Sequence, residues 1–299
     1  MHMGMNSCTL CPRRCAVRGA VCGAPDDLEV AAICTHTGEE PPLNPIVNVF
    51  FAHCSLHCIF CQNNDISAAE VNPEFIHYRT TDQVADQICL QLEKQESSLL
   101  GIVTPTHYAN RIPDILDAIH RRGATPTVVY NSSGYESVDT LRSLEGLVDI
   151  YLPDFKYMDS ALASLCSHAP DYPEVAQAAI REMIRQVGTG LKLDENGAAY
   201  RGIIVRHLVL PGNIGNTLEV LETLADLSPF CPLHVSLMAQ YFPPRPDLPA
   251  PFDRTLSEEE YRQAADRFSQ LGFNGWLQEL TSQSNYRPDF SLPNPFQTR

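Results

Sequence analysis

Three cysteines in one short segment are the residues of this sequence best suited to metal or redox chemistry. Cys54, Cys58 and Cys61 lie in the segment Cys-Ser-Leu-His-Cys-Ile-Phe-Cys, directly after the apolar run 46–52. Three thiolates at this spacing can hold three corners of a [4Fe–4S] cube. Clusters that only transfer electrons usually have four cysteine ligands, so a three-cysteine site leaves one iron free to bind a small molecule.

Two other interpretations of this segment remain open from the spacing alone. The three cysteines together with His53 or His57 could bind structural zinc, which accepts mixed Cys/His ligands in a tetrahedron. They could also be buried thiols that only pack, because a free cysteine behaves as a small apolar residue. The compact spacing favours the cluster, since zinc sites more often combine two separated pairs of ligands.

A second cysteine group lies near the start of the sequence. Cys8, Cys11, Cys15 and Cys22 occur among Pro, Arg and Gly residues without a periodic apolar pattern. Four thiolates in so short a segment are enough for a structural zinc ion or an auxiliary iron–sulfur cluster. A metal would supply folding free energy that this segment otherwise lacks, so we expect a second metal site here, with the metal left open. The alternative is a set of redox-labile or buried thiols.

The remaining cysteines are isolated from one another and are expected to be packing residues. They are Cys34, Cys89, Cys166 and Cys231.

Composition narrows the class of protein. The 299 residues are 44% hydrophobic, which is ample for one large core, and the net charge is −15. A field of that sign disfavours nucleic acid and anionic membranes, so small molecules or proteins are the expected partners. Eleven cysteines, an odd number, argue against a complete disulfide framework. No secretory signal or membrane-spanning segment is visible, and a cytoplasmic location is expected.

Six apolar segments predict strands of a parallel sheet, because strands buried on both faces are almost continuously hydrophobic. They are 46–53, 99–105, 125–131, 148–155, 203–210 and 234–240. Amphipathic patterns between them predict helices over 81–94 and 172–187. A capping box that begins at Ser257 predicts another helix, which ends at Leu271 before Gly272. This alternation predicts an α/β fold, a partial (β/α)6 TIM-type barrel with an N-terminal cysteine-rich extension.

Polar side chains follow each predicted strand at its carboxyl end. They include the cysteine loop, Thr104, Thr106 and His107, Asn131, Asp154 and Lys156, Arg206 and His207, and Gln240. Active sites of (β/α) barrels assemble at this rim, so the sequence predicts one active site there. Strand ends always meet polar loops, which is the simpler explanation for any single one of these residues.

Several motifs together resemble one known lineage. The cysteine loop, Leu-Pro-Asp-Phe-Lys-Tyr at 152–157 and Val-Arg-His-Leu-Val-Leu-Pro-Gly at 205–212 resemble radical S-adenosylmethionine (SAM) proteins related to activating enzymes of pyruvate formate-lyase. Val-Thr-Pro-Thr-His-Tyr at 103–108, Tyr-Asn-Ser-Ser-Gly-Tyr-Glu at 130–136 and Ser-Leu-Met-Ala-Gln-Tyr at 236–241 are more similar to its PflX-like branch. The resemblance covers nearly the whole chain.

Changes in composition along the sequence predict three regions: a cysteine-rich extension over 1–42, closed by Pro41-Pro42, a partial barrel over 43–272, which the resemblance makes a radical SAM barrel, and a polar tail over 273–299. The resemblance also implies that Cys54, Cys58 and Cys61 hold a [4Fe–4S] cluster whose free iron binds SAM. In the family, the reduced cluster cleaves SAM to methionine and a 5′-deoxyadenosyl radical, which abstracts hydrogen from a substrate. No catalytic residue beyond the cluster ligands is implied.

The same resemblance implies a set of SAM-binding residues. Phe60 stands where an aromatic residue packs near the adenine, and Asp154 and Lys156 match an Asp-x-Lys segment that lies against SAM. Arg206 matches an arginine that faces the same cavity. Many relatives place a Gly-Gly-Glu-like segment after the second strand, where this sequence has Thr104-Pro105-Thr106. The predicted SAM site therefore has Thr104 and Thr106 without that carboxylate, together with Asn131 from the third strand end. His107 is expected either to face a substrate or to be an ordinary loop histidine.

Two functions of different classes follow. The first is a radical SAM oxidoreductase that receives electrons from a reductant such as flavodoxin or ferredoxin. Its substrate is unknown; a protein or peptide is one candidate, and a glycyl radical enzyme is the candidate that the family suggests. The second is a sensor or binding module in which two cysteine-bound metals report the redox or iron state without catalysis.

Overall fold

The fold is an open parallel sheet wrapped by helices, as described by a computed structural model. The structure describes residues 7–284, 288–292 and 294–296. The strands are β1 (Val30–His36), β2 (Ile46–Phe51), β3 (Leu99–Val103), β4 (Thr127–Ser132), β5 (Ile150–Pro153), β6 (Lys192–Leu193), β7 (Ala199–Leu208), β8 (His234–Met238) and β9 (Asn274–Leu277). The helices are α1 (Asn64–Ser67), α2 (Thr81–Gln95), α3 (Ile112–Arg121), α4 (Val138–Ser143), α5 (Ser160–Ser167), α6 (Tyr172–Val187), α7 (Ile214–Leu227) and α8 (Glu258–Leu271).

The sheet order is β1-β2-β3-β4-β5-β7-β8-β9, with β6 attached to β7. Strands β2 to β9, β6 excepted, run parallel, and β1 is antiparallel to β2. Helices cross over between successive parallel strands, so the predicted partial (β/α) barrel is confirmed. The six predicted strands all form, within a few residues of the expected bounds. All residues of β2, β3 and β5 are buried, which explains why these strands are apolar throughout.

The helix boundaries follow the predicted capping signals. The Ser257 hydroxyl accepts from the Glu260 amide, and the Glu260 carboxylate accepts from the Ser257 amide. Gly272 ends α8 in the left-handed conformation at φ 70°, which a glycine adopts without steric cost. Helix α6 occupies Tyr172–Val187, the range that the sequence predicts.

Three strands were not predicted: the short β6, and β1 and β9, which lie outside the segment expected to form the barrel. Strand β1 belongs to the cysteine-rich extension, yet it pairs with β2 along its whole length. Strand β9 belongs to the expected tail and pairs in parallel with β8. Gly275 allows this pairing, because a Cβ at that position would lie 2.1 Å from the Val235 carbonyl oxygen. The division into three regions stays a prediction, but the sheet itself extends into both flanking regions.

Candidate active site

The cysteine loop follows β2 and lies at the carboxyl edge of the sheet. Cys54, Cys58 and Cys61 all line one cavity of about 450 Å³. The loop leaves β2 through His53, which has a positive φ of 73°. Both ring nitrogens of His53 are engaged, Nδ1 with the Ala68 carbonyl at 3.2 Å and Nε2 with Glu29 at 2.7 Å. His57 Nε2 lies 2.8 Å from the Val21 carbonyl. These contacts give no support to a zinc site completed by either histidine.

Hydrogen-bond donors surround the three sulfurs. The Leu56 amide lies 3.4 Å from the Cys54 sulfur, and the Ser67 hydroxyl donates to the Cys61 sulfur at 3.2 Å. The Ser167 hydroxyl lies 3.0 Å from the Cys58 sulfur, although 109 residues separate the two in the chain. Such donors stabilise thiolates that bind iron. Burial raises the pKa of Cys54 to about 12, so this thiol would need a metal to lose its proton at neutral pH.

The arrangement of the sulfurs bears on the kind of metal. In the described part of the chain, no three or more His, Cys, Asp or Glu side chains are arranged to hold a metal ion. A [4Fe–4S] cluster takes one protein sulfur per iron, so its ligands surround a larger volume than the ligands of a single ion. The three cysteines border a cavity of about 450 Å³, which has room for a group of that size.

The predicted SAM-binding side chains meet the cysteines at this cavity. Its lining includes Phe60, Thr104, Asn131, Asp154, Lys156 and Arg206, which come from four different strand ends and the cysteine loop. Thr104 has a positive φ of 52°, and its amide donates to the Asn131 carbonyl at 2.8 Å. This places the backbone of the β3 end beside the β4 end at the cavity wall.

Thr106 lies apart from these residues. It is buried and is not among the residues that line the cavity. Its hydroxyl donates to Glu136 at 2.5 Å, and the Tyr130 hydroxyl donates to the other carboxylate oxygen at 3.2 Å. Burial raises the pKa of Glu136 to about 7. The structure therefore gives Thr106 a partner in the core rather than a place at the cavity.

Asp154 and Lys156 form a direct ion pair at the cavity wall. Their side chains are 22% and 16% exposed. Burial alone would lower the pKa of Lys156, but the Asp154 carboxylate raises it above its usual range, so the ammonium stays charged. Tyr172 fixes this strand end, since its hydroxyl donates to the Asp154 carbonyl at 3.0 Å or to the Ser133 carbonyl at 2.7 Å. A charged group of a ligand could exchange for one member of this pair.

Arg206 has two carboxylate partners that the sequence interpretation did not include. Its guanidinium is bound by both carboxylate oxygens of Glu40, at 2.8 and 2.6 Å, and by Glu39. Burial would lower the pKa of Arg206, but the two carboxylates raise it well above its usual range. Asn48 donates to Glu39 at 2.8 Å. Arg206 thus lies at the cavity as predicted, but its charge is already matched by protein carboxylates.

Glu39 and Glu40 are the residues that the sequence interpretation missed. They line the cavity and stand just before Pro41 in the expected extension. The signal in the sequence that could have found them was two adjacent acidic residues directly before Pro41-Pro42. The Asn48 side chain, which donates to Glu39, needs a glycine at position 101, because a Cβ there would lie 1.9 Å from the Asn48 amide oxygen.

Phe60 lies in an aromatic cluster on one side of the cavity. Its ring centroid is 6.0 Å from that of Tyr241, 6.4 Å from that of Tyr157 and 6.5 Å from that of Phe252, which it stacks. Such a surface suits a planar ring, as expected for adenine.

Two other sequence assignments can be checked here. His207 is a core residue bonded to the Phe155 carbonyl and Thr217, and Cys231 is exposed rather than packed, so that expectation was wrong.

Comparison with known proteins follows the fold. No protein-family model matches the chain. An uncharacterized protein of Methanocaldococcus jannaschii is 27% identical over 184 residues, which are 60% of this chain and 48% of that protein. The match thus spans about half the length of this curated relative. No helix in the described ranges is long and apolar enough to cross a membrane.

Two solved structures share the architecture. A radical SAM methyltransferase from Sphaerobacter thermophilus superposes with a TM-score of 0.52 at 16% identity, over 78% of this chain and 66% of that one. HydG, a maturase of the [FeFe]-hydrogenase, gives a TM-score of 0.52 at 14% identity, over 76% of this chain and 50% of that one. The chain therefore has the partial (β/α) barrel fold of radical SAM enzymes.

Proposed function

We propose that the protein is a radical SAM enzyme. The observation that carries the proposal is that one cavity collects Cys54, Cys58 and Cys61 with the Asp154–Lys156 pair and the Phe60 surface. A [4Fe–4S] cluster held by the three cysteines would supply the electron that cleaves SAM to methionine and a 5′-deoxyadenosyl radical. A sensor has no need of the polar strand ends, so the non-catalytic alternative explains less of this cavity.

The roles of the side chains follow from their charges and burial. Lys156 can pair with the carboxylate of SAM, while Asp154 accepts hydrogen bonds from ribose hydroxyls or the amino group. Phe60 provides an apolar face for adenine, and Thr104 and Asn131 offer backbone and side-chain polar groups at the ends of β3 and β4. The buried aromatic cluster around Phe60 limits water near the reacting atoms, which protects a radical from side reactions.

The finer assignment rests on sequence resemblance. We infer membership of the PflX-like branch related to pyruvate formate-lyase activating enzymes, a reductant such as flavodoxin or ferredoxin, and a cytoplasmic location. The substrate is left open between small molecules and a protein or peptide, with a glycyl radical enzyme suggested by analogy only.

The test is SAM cleavage by the reconstituted protein. Under anaerobic conditions, wild type loaded with iron and sulfide should convert SAM to 5′-deoxyadenosine and methionine when dithionite is added, as measured by liquid chromatography and mass spectrometry. Cys58→Ala should lose the active-site cluster and the products, whereas Cys231→Ser, at an exposed cysteine, should retain both. A fully loaded wild type that makes neither product with any reductant would contradict the proposal.

A further inference from the structure

The end of helix α5 lies against the cysteine loop. Ser167 is the last residue of this helix and is fully buried. Its hydroxyl donates to the Cys58 sulfur at 3.0 Å, across 109 residues of sequence. The Ile59 amide, one residue further along the loop, donates to the Cys166 carbonyl at 2.9 Å. A side-chain bond and a backbone bond therefore join the last turn of α5 to the middle of the cysteine loop.

The Ser167 hydroxyl has a second partner, which fixes the direction of its hydrogen. The hydroxyl of Tyr157, which is also fully buried, lies 2.7 Å from the Ser167 hydroxyl. A thiolate sulfur can only accept, and a serine hydroxyl has one hydrogen, so Ser167 donates to Cys58 and accepts from Tyr157. The three groups form a directed chain from Tyr157 through Ser167 to the sulfur. Burial strengthens each bond of such a chain, because the surroundings are less polar than water.

Arg13 holds the backbone of Ser167 in place. The last carbonyl groups of a helix have no partner within the helix. Arg13 donates to the Ser167 carbonyl at 2.9 Å and to the Ser55 carbonyl of the cysteine loop at 3.0 Å. One guanidinium thus bridges the helix end and the loop. It comes from the N-terminal segment, where it lines one small cavity together with Cys8, Cys11, Cys15 and Cys22.

The donor at Cys58 differs in origin from the donor at Cys61. The Cys61 sulfur accepts from Ser67, only six residues further along the chain, at 3.2 Å. Ser167 comes from a separate helix, so its contact with Cys58 depends on how α5 packs against the loop. Hydrogen bonds to ligand sulfurs are among the features that set the reduction potential of an iron–sulfur cluster. A donor stabilises the more negative, reduced state more than the oxidised state, and it therefore raises the potential.

We propose that Ser167 is a positioning residue that raises the reduction potential of the cluster held by Cys54, Cys58 and Cys61. Tyr157 supports it by donating to its oxygen. This inference rests on the proposed function, since it requires a cluster at these cysteines. One electron from a low-potential donor such as dithionite is added in the reduction. No bond forms or breaks in this step, and the hydroxyl hydrogen stays on Ser167.

The experiment is an anaerobic redox titration followed by electron paramagnetic resonance, on the signal that Cys58→Ala lacks. Ser167→Ala removes the donor and should lower the equilibrium constant for one-electron reduction about three- to tenfold. At about 59 mV per tenfold, this is a downward shift of about 30–60 mV. Tyr157→Phe keeps the Ser167 hydroxyl and should shift the potential downward by less. The control is Tyr151→Phe, at a buried tyrosine whose hydroxyl donates to Gln186, and it should keep the wild-type potential.

The outcomes separate this inference from the proposed function. An unchanged or higher potential in Ser167→Ala that holds as much iron as wild type would overturn the role of Ser167. If Ser167→Ala holds no iron, Tyr157→Phe decides, and an unchanged potential in that variant would overturn it. Loaded wild type that cleaves no SAM would contradict the enzymatic function alone, because the potentials are measured without SAM. Wild type that takes up no iron would contradict both.

Discussion

The two cysteine groups of this protein differ in the space and support around them. Cys54, Cys58 and Cys61 follow a buried strand and open into a cavity of about 450 Å³, whereas the four N-terminal cysteines enclose about 10 Å³ on an irregular segment. Three cysteines beside a large cavity leave room for a small molecule, while four cysteines around a closed space do not. The number of thiols and the free volume around them thus predict different roles for the two groups.

The largest effect is expected where the extension meets the barrel. Arg206→Ala would leave the buried carboxylates of Glu39 and Glu40 without their cation, which should lower the free energy of unfolding by about 3–5 kcal/mol. Urea denaturation measures the loss. Arg262→Ala, which breaks exposed ion pairs on α8, should change the free energy of unfolding far less, because water screens exposed ion pairs. Equal losses in the two variants would show that the ion pairs of Arg206 with Glu39 and Glu40 do not hold the N-terminal extension against the barrel.

The next effect distinguishes a SAM cavity from a closed metal site. Lys156→Met removes the only cation of the Asp154 pair and should weaken SAM binding to the loaded protein by about 10–100-fold, since a charged hydrogen bond contributes about 1.5–3 kcal/mol. Anaerobic equilibrium dialysis with labelled SAM gives the dissociation constant. Lys192→Met, at an exposed position on β6, serves as the control and should bind normally. Unchanged affinity in Lys156→Met would remove this residue from the SAM site.

A pH effect is expected at Glu136, which is buried and bonded to Thr106 and Tyr130. Its pKa is about 7 in the folded chain against 4.5 for the free side chain, because burial disfavours the charged form. The folded state therefore holds a proton that the unfolded chain releases as pH rises from 4.5 to 7, and stability falls over that interval.

Between about pH 5 and about pH 8 the loss should be about 2 kcal/mol, and Glu136→Gln should remove most of it. Urea midpoints at the two pH values provide the comparison. Glu74→Gln, at an exposed glutamate, should keep the slope of wild type. A slope that is the same in Glu136→Gln would mean that other groups set the pH dependence.

The smallest effect tests the link between the two cysteine groups. Arg13→Ala removes the hydrogen bonds to the Ser55 and Ser167 carbonyls and should make the active-site cluster a few-fold faster to lose iron to a chelator. Absorbance at the cluster band follows the loss. Arg14→Ala, one residue further on at an exposed side chain, should behave as wild type. Identical rates would indicate that the N-terminal segment does not support the active-site loop.

Much of the fold was predictable because its signals are local. The apolar runs of β2, β3, β4, β5, β7 and β8 and the capping residues Ser257 and Gly272 lie within or beside the elements that they define. Strand β9 was missed because Asn-Gly-Trp-Leu is short, contains glycine and is largely exposed, so its pairing with β8 leaves no hydrophobic pattern. Strand β1 was missed because it adjoins an irregular cysteine-rich segment.

The sequence by itself determined which polar residues follow which strand: a cysteine loop comes after the first parallel strand, and other polar residues come after the following strands. Only the tertiary structure decided which side chains meet. Glu40 reaches Arg206 across 166 residues, Ser167 reaches Cys58 across 109, and His107 lines the same cavity as the N-terminal cysteines. Such contacts depend on how whole strands and loops pack against one another, and packing leaves no trace in the spacing of residues along the chain.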